Sequence, residues 1–181
     1  MDELDAVGPL EVLRSAEFDV KLVALEPYQA VTCAHGLTIA PDSAPRPDAD
    51  LIIFPGGGWV SRAAKGTRAE VDAKRWESLI GDANARGVPL ASVCTGAMIL
   101  AAAGALKDRR ATTHHNAWPD LESAGAVLVR ERVVDDGDRI TAGGVTSGID
   151  LALHLVERFA GRDAAAAIAE NLEYKTSTPA C

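Results

Sequence analysis

The chain has 181 residues, 48% of them hydrophobic and 24% charged, with a net charge of −8; that length fits one domain, residues 1–181, with a sizeable core. The acidic balance argues against a nucleic-acid partner, which calls for a basic patch, and no run approaches the ~18 apolar residues of a membrane span. Met1-Asp2-Glu3-Leu4-Asp5 lacks the basic region and apolar core of a signal peptide, and the odd, widely spaced set Cys33, Cys94 and Cys181 suits reduced cytoplasmic thiols rather than a disulfide framework or a metal site.

Asp5 lies four residues before Pro9. Proline favours the first helical position, so a helix is expected to open at Gly8-Pro9 with Asp5 just ahead of it. Val20-Lys21-Leu22-Val23-Ala24-Leu25 reads as a strand, and the Pro- and Asp-rich stretch from Asp42 to Asp50 as a loop. Leu51-Ile52-Ile53-Phe54 is a continuous apolar run, the pattern of a strand buried on both faces, and it ends in Pro55-Gly56-Gly57-Gly58. Thr67-Arg68-Ala69-Glu70 reads as a capping box opening one helix that reaches Gly87, with Val71, Trp76, Leu79, Ile80 and Ala83 on its apolar side. Val88 to Val93 is a buried-strand pattern that runs straight into Cys94, and Ala97 to Ala103 is an apolar helix pattern. Further on come a short strand at Ala111-Thr112-Thr113 and a short helix from Trp118 to Ser123. Strands at Ala126–Val134 and Arg139–Ala142 flank the turn Asp135-Asp136-Gly137-Asp138. Ser147 is placed to cap a long helix whose Ile149, Ala152, Leu153, Val156, Phe159 and Ala160 repeat at helical spacing and face the core. An Ala-rich helix covers roughly Arg162 to Leu172, and the tail reads as irregular. Strands alternating with helices imply an α/β fold, a mostly parallel sheet with helices on both faces and its working site at the carboxyl ends of the strands.

Cys94 and the Gly56-Gly57-Gly58 loop both fall at such ends. A bare cysteine reads first as a small buried hydrophobe. At a strand-to-helix turn it meets free N–H groups and the positive end of a helix dipole, which lower a thiol pKa and make the thiolate a usable nucleophile. Ser92-Val93-Cys94-Thr95-Gly96 is one residue type away from the Gly-x-nucleophile-x-Gly elbow. A Gly57 N–H and the Thr95 N–H are the candidates for an oxyanion-type pocket beside it. Asp5 and His114 each carry a plain alternative, a helix-entrance hydrogen bond for the first and a structural role beside a strand for the second. The cluster Asp135-Asp136-x-Asp138 lacks the downstream glutamate of a calcium loop and suits a hairpin turn better. Cys33 and Cys181 have no supporting context.

Five motifs occur in order: Asp5-x-x-Gly8-Pro9-x-Glu11-Val12-Leu13, Phe54-Pro55-Gly56-Gly57, Ser92-Val93-Cys94-Thr95-Gly96, Arg110-Ala111-Thr112-Thr113-His114, and Thr141-Ala142-Gly143-Gly144-Val145-Thr146-Ser147-Gly148-Ile149-Asp150. As a set they resemble the ThiJ/PfpI superfamily, whose fold is a flavodoxin-like three-layer sandwich of the class I glutamine-amidotransferase type. Glu131-Arg132-Val133-Val134 and Leu172-Glu173-Tyr174 are similar to the isonitrile hydratases within it. The resemblance implies a homodimer, a reactive Cys94, and a partner acid at Asp5 where most of the superfamily has Glu. It implies a small-molecule substrate, an isocyanide that takes up water to give an N-substituted formamide. Cys94 would form a thioimidate, Asp5 would donate the proton and later activate water, and Thr95 with the Gly57 N–H would steady the charge. His114 is a candidate substrate-binding group, and no metal or organic cofactor is called for. The family carries a central strand ahead of the acid-bearing helix, and this first strand is apparently missing here. The expectation is therefore a protein that begins upstream, or one of low stability or altered assembly. Two other readings share these motifs. One is a sensor domain like those of transcription regulators, and the other is a deglycase, amidase or chaperone.

Overall fold

A computed structural model describes residues 1–26, 29–46 and 48–175. Helix α1 (Glu3–Ser15) is followed by a hairpin of β1 (Val31–Thr32) and β2 (Thr38–Ile39), and then by β3 (Ile52–Phe54). Helices α2 (Thr67–Asp72) and α3 (Glu77–Ala85) lead to β4 (Leu90–Ser92), and a 3-10 turn over Cys94–Gly96 leads into α4 (Ala97–Ala102). Then come β5 (Arg110–Ala111), α5 (Trp118–Ser123), β6 (Val127–Leu128), β7 (Val133–Asp135), β8 (Arg139–Ala142), α6 (Ser147–Ala160) and α7 (Arg162–Asn171). The central sheet runs β3-β4-β8-β7, with β3, β4 and β8 parallel and β7 antiparallel at the edge, while β5 and β6 form a separate parallel pair.

Alternation along the strands divides the core into two layers. Leu90 points to one side with Ile52, Phe54, Ile80, Met98, Leu100, Leu106 and Leu121, so α2 to α5 cover that face. Ala91 and Val93 point to the other with Val12, Ile140, Leu151, Leu155, Val156 and Ile168, so α1, α6 and α7 cover the second face. The result is a flavodoxin-like α/β sandwich of three layers. Every residue of β4 and β8 is buried, which explains why Leu90-Ala91-Ser92 and Arg139–Ala142 show no polar alternation. The one charged member, Arg139, spreads its guanidinium over the Ala105 carbonyl (3.3 Å), the Asp138 carbonyl (2.7 Å) and the Asn84 side chain.

Several sequence expectations are corrected. Helix α1 begins at Glu3, capped by the Asp2 side chain on the Leu4 N–H at 3.2 Å, so Asp5 sits in its first turn and Pro9 lies inside it. The helix continues through Pro9, which has no N–H to offer the Asp5 carbonyl one turn earlier. The expected strand at 20–25 is reduced to a single bridge, Val23 with Ser43. Among the described residues nothing pairs with β3 on the side away from β4, so the segment does not join the central sheet. The helix expected from Thr67 to Gly87 is two, because Lys74 adopts φ +54° between α2 and α3. The strand expected at 126–134 is split into β6 and β7. On α6 the expected Ala152 and Val156 are fully buried together with Leu151 and Leu155, while Phe159 is 51% exposed and Ala160 is exposed too. Cys33 is buried, and Cys181 lies outside the described residues.

Two backbone contacts set the position of the site. Helices α1 and α6 cross on small residues: a Cβ on Gly148 would lie 3.2 Å from the Pro9 ring, and one on Gly8 would lie 3.4 Å from Ile149. This holds the first turn of α1 over the carboxyl end of β4. A Cβ on Gly96 would come within 2.0 Å of the Phe54 carbonyl oxygen, so the end of β3 and the start of α4 touch with no side chain between them. Gly96→Ala is accordingly expected to destabilise the fold by more than about 4 kcal/mol, a range reached by few mechanisms, overpacking against a rigid backbone among them. Urea unfolding of the purified protein measures it, and a loss below about 1 kcal/mol would contradict the close contact.

Candidate active site

Strand β4 delivers Cys94 into a sharp turn. Its φ is +55°, a conformation that strains an L-residue by roughly 1–3 kcal/mol and is held only when the surroundings over-determine it. Those surroundings are visible: the Cys94 N–H donates to the Gly143 carbonyl at 2.8 Å, and the Cys94 carbonyl accepts from the Thr113 hydroxyl at 2.8 Å. The main-chain N–H groups of Thr95 and Val145 face the thiol sulfur. Val145 itself has φ +43°, a genuine outlier for a β-branched residue, in the turn that joins β8 to α6.

Asp5 meets the same sulfur from α1. It is 1% exposed, and its Oδ2 accepts the Gly56 N–H at 3.0 Å. Its Oδ1 has no partner of hydrogen-bonding geometry among the described residues, and the side chain it meets is the Cys94 thiol. Burial pushes the Asp5 carboxyl up to about 7, with the nearby charge of Asp2 adding to it and the Gly56 N–H opposing it. Burial also pushes the Cys94 thiol up to about 12, and the Asp5 charge adds to that against the pull of the Val145 and Thr95 N–H groups. This overturns the sequence expectation of a lowered thiol pKa. A helix terminus contributes up to ~2 kcal/mol, which is about 1.5 pH units, whereas burial can move a group by ~3–5. Cys94 is 5% exposed and α4 has only six residues, so burial wins. Above neutral pH the resting pair is a thiol facing a carboxylate.

Thr95 is 4% exposed, and its Oγ1 accepts the Gly57 N–H at 2.8 Å, so that N–H points at the hydroxyl and not at the sulfur. Gly57 adopts φ +120°, and a Cβ there would strike the backbone at Met1-Asp2. The residue the sequence reading assigned to a capping box is part of this cluster. The N-cap of α2 is Gly66, and Thr67 turns its hydroxyl onto the Gly57 carbonyl at 2.8 Å and to within 3.3 Å of Thr95 Oγ1. His114 lies to one side. Its Nδ1 accepts the Asn116 N–H at 3.2 Å, its ring stacks on His115 at 4.3 Å, and burial together with His115 lowers its pKa. The neutral ring therefore carries its proton on Nε2 and cannot serve as a base through Nδ1.

Gly56, Thr67, Thr113, Gly143 and Val145 were not singled out in the sequence for the parts they play here. The doublet Gly143-Gly144 after a strand, matching Gly56-Gly57, was the available signal. Next to the elbow, a cleft of about 210 Å³ is lined by Thr113, His115, Trp118, Arg130, Gly144 and Ser147 among others. The one group of His, Cys, Asp and Glu side chains with ligand spacing among the described residues is Asp2, Glu3 and His35, and there His35 Nδ1 lies 2.8 Å from the Glu3 carboxylate. No helix among the described residues is long and apolar enough to cross a membrane.

The cysteine elbow, the glycine loop and the helix-borne acid all lie within the stretch that matches a known family. The DJ-1/PfpI family model covers residues 1–158. The chain belongs to the DJ-1/PfpI family. It is 38% identical to the isonitrile hydratase of Pseudomonas putida over 182 residues, 99% of this chain and 76% of that protein. A ThiJ/PfpI family protein from Pseudomonas syringae superposes with a TM-score of 0.86 at 33% identity, over 99% of this chain and 73% of that one. The HTH-type transcriptional regulator GbdR of Pseudomonas aeruginosa is 33% identical over 149 residues, 80% of this chain and 38% of that protein.

The raised Asp5 pKa has a consequence for stability. Folding raises it from 3.8 to about 7, so the folded state binds this proton more tightly than the unfolded chain does. The contribution is full below about pH 4 and is lost as pH rises through about 7. Asp5→Asn, which keeps an acceptor for the Gly56 N–H, is expected to be the more stable form at pH 8, by an amount on the order of 4 kcal/mol, relative to its standing at pH 4. Urea unfolding of both proteins at the two pH values measures this, and a difference independent of pH would refute it.

Proposed function

We propose that this protein is a cysteine-dependent hydratase that adds water to an isocyanide and releases an N-substituted formamide. The observation that carries the reading is the buried pair itself: an aspartate with its pKa raised to about 7 meets the thiol, two N–H groups face the sulfur, and among the described residues no histidine contributes to its environment. The likeness to an isonitrile hydratase over nearly the whole chain supports it.

The geometry suggests the order of proton transfers. Ionised Asp5 takes the Cys94 thiol proton as sulfur attacks the terminal carbon of R–N≡C, and returns it to that carbon. The product is the thioimidate R–N=CH–S–Cys94. Asp5, ionised again, draws a proton from water as the water oxygen adds to the same carbon, and passes it to nitrogen. Collapse of the tetrahedral adduct restores the thiol and frees R–NH–CHO. Asp5 thus acts first as a base, whereas the sequence reading had it donate first. The Thr95 and Val145 N–H groups would steady negative charge at the adduct. Three protons move in all: the thiol proton to carbon, one water proton to nitrogen and, as the adduct collapses, the hydroxyl proton to sulfur, so substrate and one water supply every atom of the product. As in the sequence reading, the protein is proposed to act as a homodimer, in the cytoplasm.

The match to GbdR favours a second reading, a ligand-sensing module. Turnover separates the two. Simple alkyl and aryl isocyanides should yield formamide with the native protein. Cys94→Ala should lose at least ~10³-fold in rate, Asp5→Asn ~10²–10⁴-fold, and His114→Ala no more than a few-fold. Native kcat/KM should rise with pH through about 7 as Asp5 ionises, an inflection that Asp5→Asn should lack. If His114→Ala abolished activity while Asp5→Asn kept it, the Cys-Asp mechanism would be wrong.

A further inference from the structure

We propose that Thr67 is a positioning residue whose hydroxyl lets the Thr95 O–H turn toward negative charge as it forms on a Cys94 adduct. The inference rests on the nucleophilic role given to Cys94 above. Three hydrogen bonds and one count of protons carry it. Gly57 N–H donates to Thr95 Oγ1 at 2.8 Å, Thr67 O–H donates to the Gly57 carbonyl at 2.8 Å, and the two threonine oxygens lie 3.3 Å apart. The Gly57 carbonyl also accepts the Thr67 N–H at 2.8 Å. Both threonines are 4% exposed, so their hydroxyls must find partners within the protein.

Each hydroxyl has one proton. With the Thr67 proton on the Gly57 carbonyl, the Thr95 proton is committed to Thr67 Oγ1. Rotating both hydroxyls gives a second arrangement, in which Thr67 O–H donates to Thr95 Oγ1 and the Thr95 proton is released. Nothing buried is orphaned by the change, because the Gly57 carbonyl keeps the Thr67 N–H and Thr95 keeps the Gly57 N–H. The released proton needs a new acceptor, so the second arrangement is favoured only when charge appears nearby. That dependence stabilises a reacting state over the resting one.

The Thr95 hydroxyl is in place to respond. The point where a side chain on Gly56 would begin lies 2.7 Å from Thr95 Oγ1 and 2.4 Å from Thr95 N. The hydroxyl and the amide that faces the sulfur thus lie side by side against the Gly56 backbone, whose N–H holds Asp5. A threonine at the first position of α2 therefore serves the nucleophile rather than the helix.

The test uses the full chain carrying Thr67→Val, Thr67→Ala or Thr67→Ser, with two probes of Cys94 followed by peptide mass mapping. Iodoacetamide alkylates sulfur and expels iodide, so no negative charge builds on the adduct. The activated nitrile 2-cyanopyrimidine forms a thioimidate, with charge developing on its nitrogen. Thr67→Val and Thr67→Ala are expected to slow nitrile addition by about 10- to 100-fold, the lower part of the range for losing a charge-stabilising donor. They should leave alkylation within about two-fold of the native rate, with Thr67→Ser close to native in both. If isocyanides are turned over, kcat should fall with the nitrile rate while KM holds. Equal slowing of both probes, failure of Thr67→Ser to rescue, or a native nitrile rate without the hydroxyl would each overturn the proposal. So would a native Cys94 that reacts with neither probe. Nitrile addition that depends on Thr67 without any isocyanide turnover would uphold this inference and refute the hydratase reading.

Discussion

The site depends on one contact between bare backbones. Where the loop after β3 crosses the start of α4, Gly96 lies against the Phe54 carbonyl and Gly56 lies against the Thr95 amide, with no room for a Cβ at either place. That approach lets the loop place two successive N–H groups on different targets, Gly56 on the Asp5 carboxylate and Gly57 on the Thr95 hydroxyl. A side chain at either glycine would part the β3 loop from the elbow, and the acid and the sulfur would lose their common anchor. Core packing on the two faces of the sheet keeps the strands in register, but this seam turns a sandwich into a site.

Within the seam, desolvation outweighs the helix terminus. The turn at Cys94 offers the sulfur two N–H groups, yet a nearly buried thiol beside a buried carboxyl is held protonated. The same burial brings Asp5 close to neutrality in pKa, where a carboxyl can both accept and return a proton. The two shifts have one cause and suit one cycle. The thiol is held protonated at rest, and a carboxyl group able to take up its proton is already in contact. The strained φ values at Cys94 and Val145 belong to this arrangement, since each aims a main-chain group that a relaxed turn would direct elsewhere.

The sequence made the layers legible because they follow from periodicity. The apolar runs at 51–54 and 88–93, the box-like turn at 135–138 and the long amphipathic α6 all read correctly in kind. Errors arose where a local signal was answered by a distant partner. Pro9 looked like a helix start, but Asp2 caps α1 and packing against Gly148 carries the helix through the proline. Thr67 looked like a cap, but its hydroxyl is drawn to Gly57, ten residues back in the chain. Phe159 repeats at the right spacing, yet it falls in the exposed last turn of α6. The turn at Cys94 was legible in the sequence, while the protonation of its thiol was not, because burial is a property of the whole fold. Val145 was invisible as a donor for a related reason. A main-chain N–H carries no residue-type signal, and only the turn between β8 and α6 aims it.

The position of Asp5 explains why such a site is unlike the rest of the core. A carboxylate 1% exposed, with one oxygen lacking a hydrogen-bond partner among the described residues, is destabilising at neutral pH. An asparagine would relieve that penalty and keep the Gly56 contact, but it could not take up or release a proton. Burial raises the proton affinity of the acid, and proximity to the thiol gives that affinity a use. The fold tolerates the charge because the seam of glycines supplies an N–H to it, and because α1 is fixed at its crossing with α6 rather than by Asp5. Stability comes from the apolar faces and reactivity from the polar seam between them, so the acid can remain in a form the core alone would reject.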